Sequence, residues 1–178
     1  MTVTIRDVRK SDGRALAAAN QASRDLHHPW VEPFRDLPGF KAWFGAIAQG
    51  RRRSFVVEAD GVLAGVINLN EIVRGVFQSA YLGYYALHSA NRAGGTGQGT
   101  MTRALALVIA EAFGLMGLHR LEANIQPGNT RSKALVQRLG FRLEGFSPHY
   151  LHIAGAWRDH ERWAIRTDDD VASQQETR

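Results

Sequence analysis

The 178 residues contain no cysteine. This absence excludes disulfides, zinc sites built on thiolates and a thiol nucleophile. No apolar run is long enough for a signal peptide, and no window of about 18 apolar residues predicts a membrane span. We therefore expect a soluble, cytoplasmic protein without a membrane partner.

Lysine is also scarce, because 19 of the 22 basic residues are arginine and the formal net charge is +5. The one basic run is Arg51-Arg52-Arg53. Basic residues are not interleaved with aromatic ones, as they are on most nucleic-acid-binding surfaces. We therefore expect this run to be a solvated loop and expect no direct contact with nucleic acid.

The remaining composition is ordinary for a globular domain, with 44% apolar and 22% charged residues. The length fits one domain with a sizeable core. We assign residues 1–166 to this domain. Residues 167–178 are polar, and we expect them to form a disordered tail.

Periodicity and turn signals predict the order β–α–α–β–β–β–α–β–α–β–β. Three prolines between His28 and Gly39 predict a loop there. A helix is predicted to begin after that loop and to end at Gly50, and another is predicted to be capped by Asn129. The predicted strands are residues 2–8, 54–59, 62–72, 79–86, 120–126, 141–153 and 156–165.

The most informative stretch is Gly94–Arg103, with the sequence GGTGQGTMTR. A predicted strand precedes it and an amphipathic helix follows. Glycines let backbone N–H groups approach an anion, and the start of a helix adds the positive end of its dipole. The stretch therefore predicts a phosphate site, most plausibly for a pyrophosphate.

Two familiar phosphate motifs do not fit this stretch. A Walker A loop needs Lys-Ser/Thr after its glycines, and none follows here. A dinucleotide fingerprint needs a third glycine where Thr102 stands, and an antiparallel hairpin precedes the loop. The register that fits best is the short G-x-G pattern at Gly97 and Gly99, because it lies at the correct distance from the helix face.

Four segments follow one another in a specific order: YLGY at 81–84, GQG at 97–99, LHRLEANIQPGNTRSKALVQRLGFRLEG at 118–145 and WRDH at 157–160. In these segments the chain resembles the GCN5-related N-acetyltransferase (GNAT) superfamily, in particular its RimJ/RimL-type ribosomal-protein N-acetyltransferases. The resemblance covers about residues 55–165. One departure is a surplus of about five residues in 88–96.

The resemblance implies an α+β (mixed α/β) fold: a mostly antiparallel sheet of about seven strands, splayed between the fourth and fifth, with about four helices. Acetyl-CoA would lie in the splay and donate its acetyl group to a primary amine that attacks directly. The pantetheine arm would pair with backbone near Tyr85, Ala86 and Leu87. The other implied cofactor contacts are Thr96, Gly97, Gln98, Gly99, Thr100, Met101, Asn124, Asn129 and Ser132.

The resemblance also suggests catalytic residues. Ser132 could hydrogen-bond the departing thiolate, and Tyr150 could orient the amine or protonate the sulfur. His149 stands where the family carries an acidic base, and a histidine can also accept a proton. Glu144 is a second candidate for the base, although an ion pair or solvent contact would equally explain it.

The acceptor amine would lie beside Trp30, Glu32 and Tyr84. We expect no metal, because the histidines lack ligand spacing and His149 and His152, three residues apart on a strand, should face opposite ways.

Three readings of the function stay open. The acceptor is a protein N-terminus, such as that of a ribosomal protein, or it is a small amine or an antibiotic. The third reading is a regulatory module that binds acetyl-CoA without turnover. The sequence is compatible with a monomer or a homodimer, and its Arg-, Ala- and Gly-rich composition is typical of a GC-rich bacterial genome.

Overall fold

A computed structural model describes residues 1–89 and 99–169. Its centre is a seven-stranded mixed sheet with the strand order β1-β2-β3-β4-β5-β7-β6. The strands are β1 (Val3–Asp7), β2 (Arg53–Ala59), β3 (Val62–Val73), β4 (Ser79–Ala86), β5 (Arg120–Ile125), β6 (Arg142–Ile153) and β7 (Ala156–Arg166). The described α-helices are α1 (Gly13–Ala22), α2 (Arg24–His27), α3 (Leu37–Gly45), α4 (Thr100–Phe113) and α5 (Thr130–Arg138).

The first four strands form an antiparallel meander, as the turn signals predict. Asp60 and Gly61 connect β2 to β3, and both have positive φ, at 48° and 79°. Positive φ at both central residues is the geometry that a two-residue hairpin turn requires. The predicted hairpin is therefore confirmed.

The larger core lies between the sheet and α4. The helix buries Ala104, Leu105, Val108 and Ala112, which recur at helical spacing. Val136 of α5 joins the same core. We call this side of the sheet the α4 face, and the predicted amphipathic helix after the glycine stretch is confirmed.

The opposite side, which we call the α1 face, carries a smaller core. Leu16 of α1 and Phe40 of α3 pack there against Val56, Val66 and Tyr85 of the first four strands. The helices α1 to α3 therefore cover only the half of the sheet that β1 to β4 form.

The predicted loop from His28 to Gly39 is too long, because α3 already begins at Leu37. Pro38 lies in the first turn of α3, where a missing N–H costs nothing. The Asp36 carboxylate caps the helix by accepting a hydrogen bond from the Gly39 N–H at 2.7 Å. The proline therefore starts the helix and does not break it. The single turn of α2 was also not predicted, since four residues carry no periodic signal.

The central strands β4 and β5 are parallel, but they pair over only three residues. The last pair is Tyr81 with Glu122, and the strands part beyond it. β4 continues to Ala86 and β5 to Ile125, so a wedge-shaped gap opens in the middle of the sheet. The predicted splay between the fourth and fifth strands is confirmed.

β6 forms one edge of the sheet and is interrupted by a bulge between Ser147 and Leu151. Inside the bulge His149 has a φ of 47°, in the left-handed region that non-glycine residues rarely adopt. The bulge makes the regular alternation of side chains fail there. The prediction that His149 and His152 face opposite ways therefore loses its basis.

The first residues of the predicted tail contact the domain. The Thr167 N–H donates to His119 O at 3.0 Å, and the Arg166 N–H donates to the Asp169 carboxylate at 2.8 Å. Residues 170–178 lie outside the described residues. Within residues 1–89 and 99–169, no helix has the length and apolar character needed to cross a membrane.

Candidate functional site

A short segment of chain bridges the open end of the gap. The Nε2–H of His27 donates to Ala86 O at the end of β4, at 2.8 Å. On the other side, Gln126 Nε2 follows β5 and donates to Trp30 O at 3.4 Å. We call residues 27–30 the strap. The strap ties the two parted strands together and limits how far the gap can open.

Two cavities flank the strap. The larger, of about 250 Å³, lies between the strap and the start of α5, and Trp30 and Asn129 line it. The smaller, of about 50 Å³, lies beside α1 and is lined by Glu32 and Asn20. Trp30 and Glu32 were predicted to line one acceptor cleft, but the structure places them in different cavities.

Ser132 lies at the gap and has a partner on β4. Its hydroxyl is 2.5 Å from that of Tyr84. Asn129 caps α5 by accepting a hydrogen bond from the Ser132 N–H at 3.1 Å, which confirms the predicted cap. Burial raises the pKa of Tyr84 to about 12, so Tyr84 keeps its proton at neutral pH. Tyr84, predicted to contact the acceptor, is thus hydrogen-bonded to Ser132.

Gly99 immediately precedes α4 and is the first described residue of the glycine stretch. It has a φ of 76°, and no side chain of the described residues caps the helix there. The first N–H groups of any helix lack partners within the helix, so those that follow Gly99 can bind an anion. Thr100 is buried, and the Met101 side chain packs on Gly65 of β3. The predicted contacts Thr96, Gly97 and Gln98 lie outside the described residues.

The end of β4 carries the residues predicted to pair with the pantetheine arm. The Leu87 N–H donates to Ala64 O at 2.9 Å, on the β3 side. Ala86 O accepts from the strap, as described above. The Tyr85 hydroxyl is 3.4 Å from Asn20 Nδ2, and burial raises its pKa. These contacts hold the strand edge in place beside the gap.

A polar row lies on the α1 face of β5. Leu121, Ala123 and Ile125 belong to the core on the α4 face, so the alternate residues point the other way. These alternate residues are Arg120, Glu122 and Asn124. Asn124 borders the gap, and its buried Oδ1 has no hydrogen-bond partner within the described chain.

Tyr150 reaches this row from the β6 bulge. Its ring centroid lies 6.2 Å from that of His160, a buried residue of β7. The pKa of Tyr81 on β4 is raised, first by burial and then by nearby Glu122 and Tyr150. Tyr150 therefore lies over the α1 face near the point where β4 and β5 part.

The two predicted bases occupy different surroundings. His149 is exposed, and its N–H donates to Asp159 Oδ1 at 2.8 Å. Glu144 forms a two-pronged ion pair with Arg120, which lowers the pKa of its carboxyl group. Arg120 Nε also donates to Glu122 at 3.0 Å. Glu122 is the carboxylate at the apex of the gap, since it belongs to the last residue pair before the strands part.

Arg162 lies directly across from Asn124 in the register of β5 and β7. Its Nε is buried without a hydrogen-bond partner, and so is that of Arg158, four residues earlier on the same strand. Both arginines therefore join the row on the α1 face. Among the described residues, no group of three or more His, Asp or Glu side chains is arranged to hold a metal ion.

The sequence analysis did not single out Tyr81, Glu122 or Arg162. The available signal was the two-residue period of β4 and β5. Side chains alternate between the two faces along a strand, so Tyr81 and Tyr84, three residues apart, point to opposite faces of the sheet. Likewise, polar residues alternate with apolar ones along Arg120–Ile125, which marks a strand with one polar face.

Comparison with known proteins identifies the family. Residues 2–142 match the family described as "Acetyltransferase (GNAT) domain". The chain belongs to the GNAT acetyltransferase family. GNAT relatives include the [ribosomal protein uS5]-alanine N-acetyltransferase of Escherichia coli, which is 33% identical over 94% of this chain and 89% of that protein. YjcK of Bacillus subtilis, named a probable N-acetyltransferase, is 38% identical over 63% of this chain but over only 59% of its own length.

Solved GNAT structures share the fold. RimJ of Mycobacterium smegmatis, in complex with CoA-disulfide, superposes with a TM-score of 0.83 at 31% identity, covering 97% of this chain and 89% of that one. A more distant relative is the spermidine N(1)-acetyltransferase of E. coli, which is 26% identical over 92% of this chain and 86% of that protein. The predicted family and its acetyltransferase activity are therefore confirmed.

The strap makes the stability of the protein depend on pH. Burial lowers the pKa of His27, which is 4% exposed, although its bond to Ala86 opposes the shift. The unfolded chain, with a histidine pKa of about 6.5, therefore binds more protons than the folded one. We expect the free energy of unfolding to be highest above that pKa and to fall as the pH drops below it. Denaturant titrations between pH 8 and pH 5.5 measure this.

His27→Gln is the matched variant, because a glutamine can still donate to Ala86 but does not titrate. We expect it to weaken the pH dependence without abolishing it, since burial also lowers the pKa of His160. An identical pH dependence in the wild type and in His27→Gln would contradict the role given to His27.

Proposed function

We propose that this protein transfers the acetyl group of acetyl-CoA to the N-terminal α-amine of a protein, such as a ribosomal protein. The observation that carries the proposal is the 33% identity to the uS5-alanine N-acetyltransferase, which extends over 94% of the chain. The match also covers 89% of that protein's own length, so it spans most of both chains.

The gap fits acetyl-CoA. Within residues 1–89 and 99–169, no strand pairs with β4 on its β5 side from Leu82 onward, so an extended arm can lie along that edge near Tyr85, Ala86 and Leu87. The uncapped start of α4 after Gly99 suits the pyrophosphate, with the N–H groups of Thr100 and Met101 as donors. Asn124, Asn129 and Ser132 would complete the contacts. When bound, acetyl-CoA supplies an activated thioester.

Ser132 would hold a proton at the sulfur. Its hydroxyl lies at the gap and is hydrogen-bonded to the Tyr84 hydroxyl, which stays protonated at neutral pH. The pair forms a short chain of two O–H groups that can stabilise negative charge on a departing thiolate. A hydroxyl is a weak acid, so this role is stabilisation more than outright protonation.

The attacking amine must first lose a proton, because an ammonium group has no lone pair. His149 is the base that we propose, acting directly or through water, with Tyr150 orienting the amine. Two carboxylates compete for the role. Both pair with Arg120. The lowered pKa of Glu144 makes it a weak base, whereas Glu122 lies at the apex of the gap.

Two alternatives remain. The spermidine acetyltransferase among the relatives favours a small amine or an antibiotic as acceptor. A non-catalytic module that binds acetyl-CoA is favoured only by the histidine in place of the acidic base.

The acceptor class can be measured directly. We expect thiol release from acetyl-CoA in the presence of peptides with a free N-terminal alanine or serine, and none when the same peptides are blocked at the N-terminus. Thiol release only in the presence of spermidine or an aminoglycoside would indicate that the acceptor is a small amine. Binding of acetyl-CoA by calorimetry without release on any acceptor would indicate the non-catalytic module.

Gly99 tests the cofactor site, and Gly117 provides the matched control. Both have positive φ, at 76° and 61°, and open space around them, so aspartate costs each a similar strain of about 1 kcal/mol. We expect Gly99→Asp to abolish acetyl-CoA binding in calorimetry, because its carboxylate repels the pyrophosphate. Gly117→Asp should bind normally. Equal affinity of the two variants for acetyl-CoA would contradict the assignment of Gly99 to the cofactor site.

The base is tested by single substitutions. We expect His149→Ala to lower kcat/KM at neutral pH by about 100-fold and to remove the acidic limb of the pH–rate profile. His152→Ala, an exposed histidine of the same strand, is the control and should keep full activity. Full activity in His149→Ala together with a large loss in Glu122→Gln or Glu144→Gln would transfer the role to that carboxylate.

A further inference from the structure

Arg162 carries a positive charge that the described part of the chain leaves unpaired. Its side chain is half-buried, its Nε is buried, and it makes no hydrogen bond or ion pair within residues 1–89 and 99–169. Burying an unpaired charge costs folding free energy, and a bound anionic group would supply the partner that Arg162 lacks.

The neighbouring carboxylates are all engaged elsewhere. Glu122 and Glu144 both pair with Arg120. Glu161, adjacent to Arg162 in sequence, points to the α4 face and pairs with Lys133 at 3.1 Å. No carboxylate of this neighbourhood is left to neutralise Arg162.

A glycine makes room for the guanidinium. Gly145 of β6 lies beside Arg162, and a Cβ atom placed on it would be 2.6 Å from Arg162 Nη2. Any larger residue at 145 would displace the guanidinium. The glycine therefore leaves room for the Arg162 guanidinium beside the β6 backbone.

This position is within reach of a peptide whose amine lies in the gap. Neighbouring strands are about 4.8 Å apart, so a guanidinium over β6 is about 10 Å from β5 at the border of the gap. An extended chain advances about 3.3–3.6 Å per residue. The side chain of the second to fourth residue spans that distance, whereas the α-carboxylate of a free amino acid does not.

We propose that Arg162 binds an acidic side chain at the second to fourth position of the acceptor peptide. The inference rests on the proposed function, which it narrows to N-termini that carry an Asp or Glu in this window. Planar guanidinium groups bind carboxylates through two parallel hydrogen bonds, which gives both affinity and register. The same charge repels a polyamine, so it separates a peptide acceptor from a polycationic one.

The experiment compares matched acceptors. Peptides that begin with alanine carry one Glu at position two, three, four or eight, and reference peptides carry Gln at the same place. We expect kcat/KM to be about tenfold higher with Glu than with Gln at one of positions two to four, mostly through a lower KM, and equal at position eight. Salt at 0.5 M should reduce this preference.

Three variants locate the effect. Arg162→Gln should lose the preference for Glu while its affinity for acetyl-CoA, measured by calorimetry, stays that of the wild type. Gly145→Ala should weaken the preference by displacing the guanidinium. Arg158→Gln is the matched control, because Arg158 is equally unpaired and lies on the same face of β7, and it should keep the preference. Thermal unfolding confirms that each variant is folded.

The outcomes distinguish the two levels of the proposal. Peptides acetylated equally with Glu and Gln, or a preference that survives Arg162→Gln, would overturn the role of Arg162 and leave the proposed function standing. An equal loss of the preference for Glu in Arg158→Gln and Arg162→Gln would indicate a general attraction by positive charge. That result would also overturn the specific role of Arg162. Acetyl-CoA binding without acetylation of any peptide would overturn the proposed function and the role of Arg162 together.

Discussion

The site depends on the early end of the pairing between β4 and β5. Only three residue pairs join these parallel strands, so the backbone groups beyond Tyr81 and Glu122 need other partners. The strap meets part of this need by donating to the Ala86 carbonyl, and it accepts a hydrogen bond from the Gln126 side chain on the other side. Because the strap spans the wedge on the α1 face, the gap stays open to a ligand without leaving the sheet in two halves.

The two faces of the sheet carry different kinds of groups at the gap. The α4 face holds the larger core, the start of α4 and the Tyr84–Ser132 pair, all suited to the donor side of the gap. The α1 face of β5, β6 and β7 carries polar and charged side chains that no helix among the described residues covers. A donor and an acceptor that enter from opposite faces would therefore meet at the apex, beside Glu122.

The sequence predicts most of the architecture, because hydrophobic alternation, hairpin turns and the Asn129 cap are local signals. The splay came from the resemblance to GNAT proteins, and the order of β5, β7 and β6 in the sheet was not predicted, since pairing between distant strands leaves no local mark. The bulge at His149 and the helix start at Asp36 were not predicted, because each depends on a single backbone or capping contact. The ion pair of Glu144 with Arg120 joins residues from two non-adjacent strands, and only the folded chain identifies that partner.

The bulge in β6 also protects the edge of the sheet. An edge strand offers a row of unpaired N–H and C=O groups to any other extended chain, and β6 bears the exposed apolar residues Leu143 and Phe146. Pro148 removes one donor, and the left-handed turn at His149 bends the strand out of register with a straight neighbour. The distortion that brings Tyr150 over the α1 face thus also opposes edge-to-edge aggregation, so straightening β6 would cost the protein solubility.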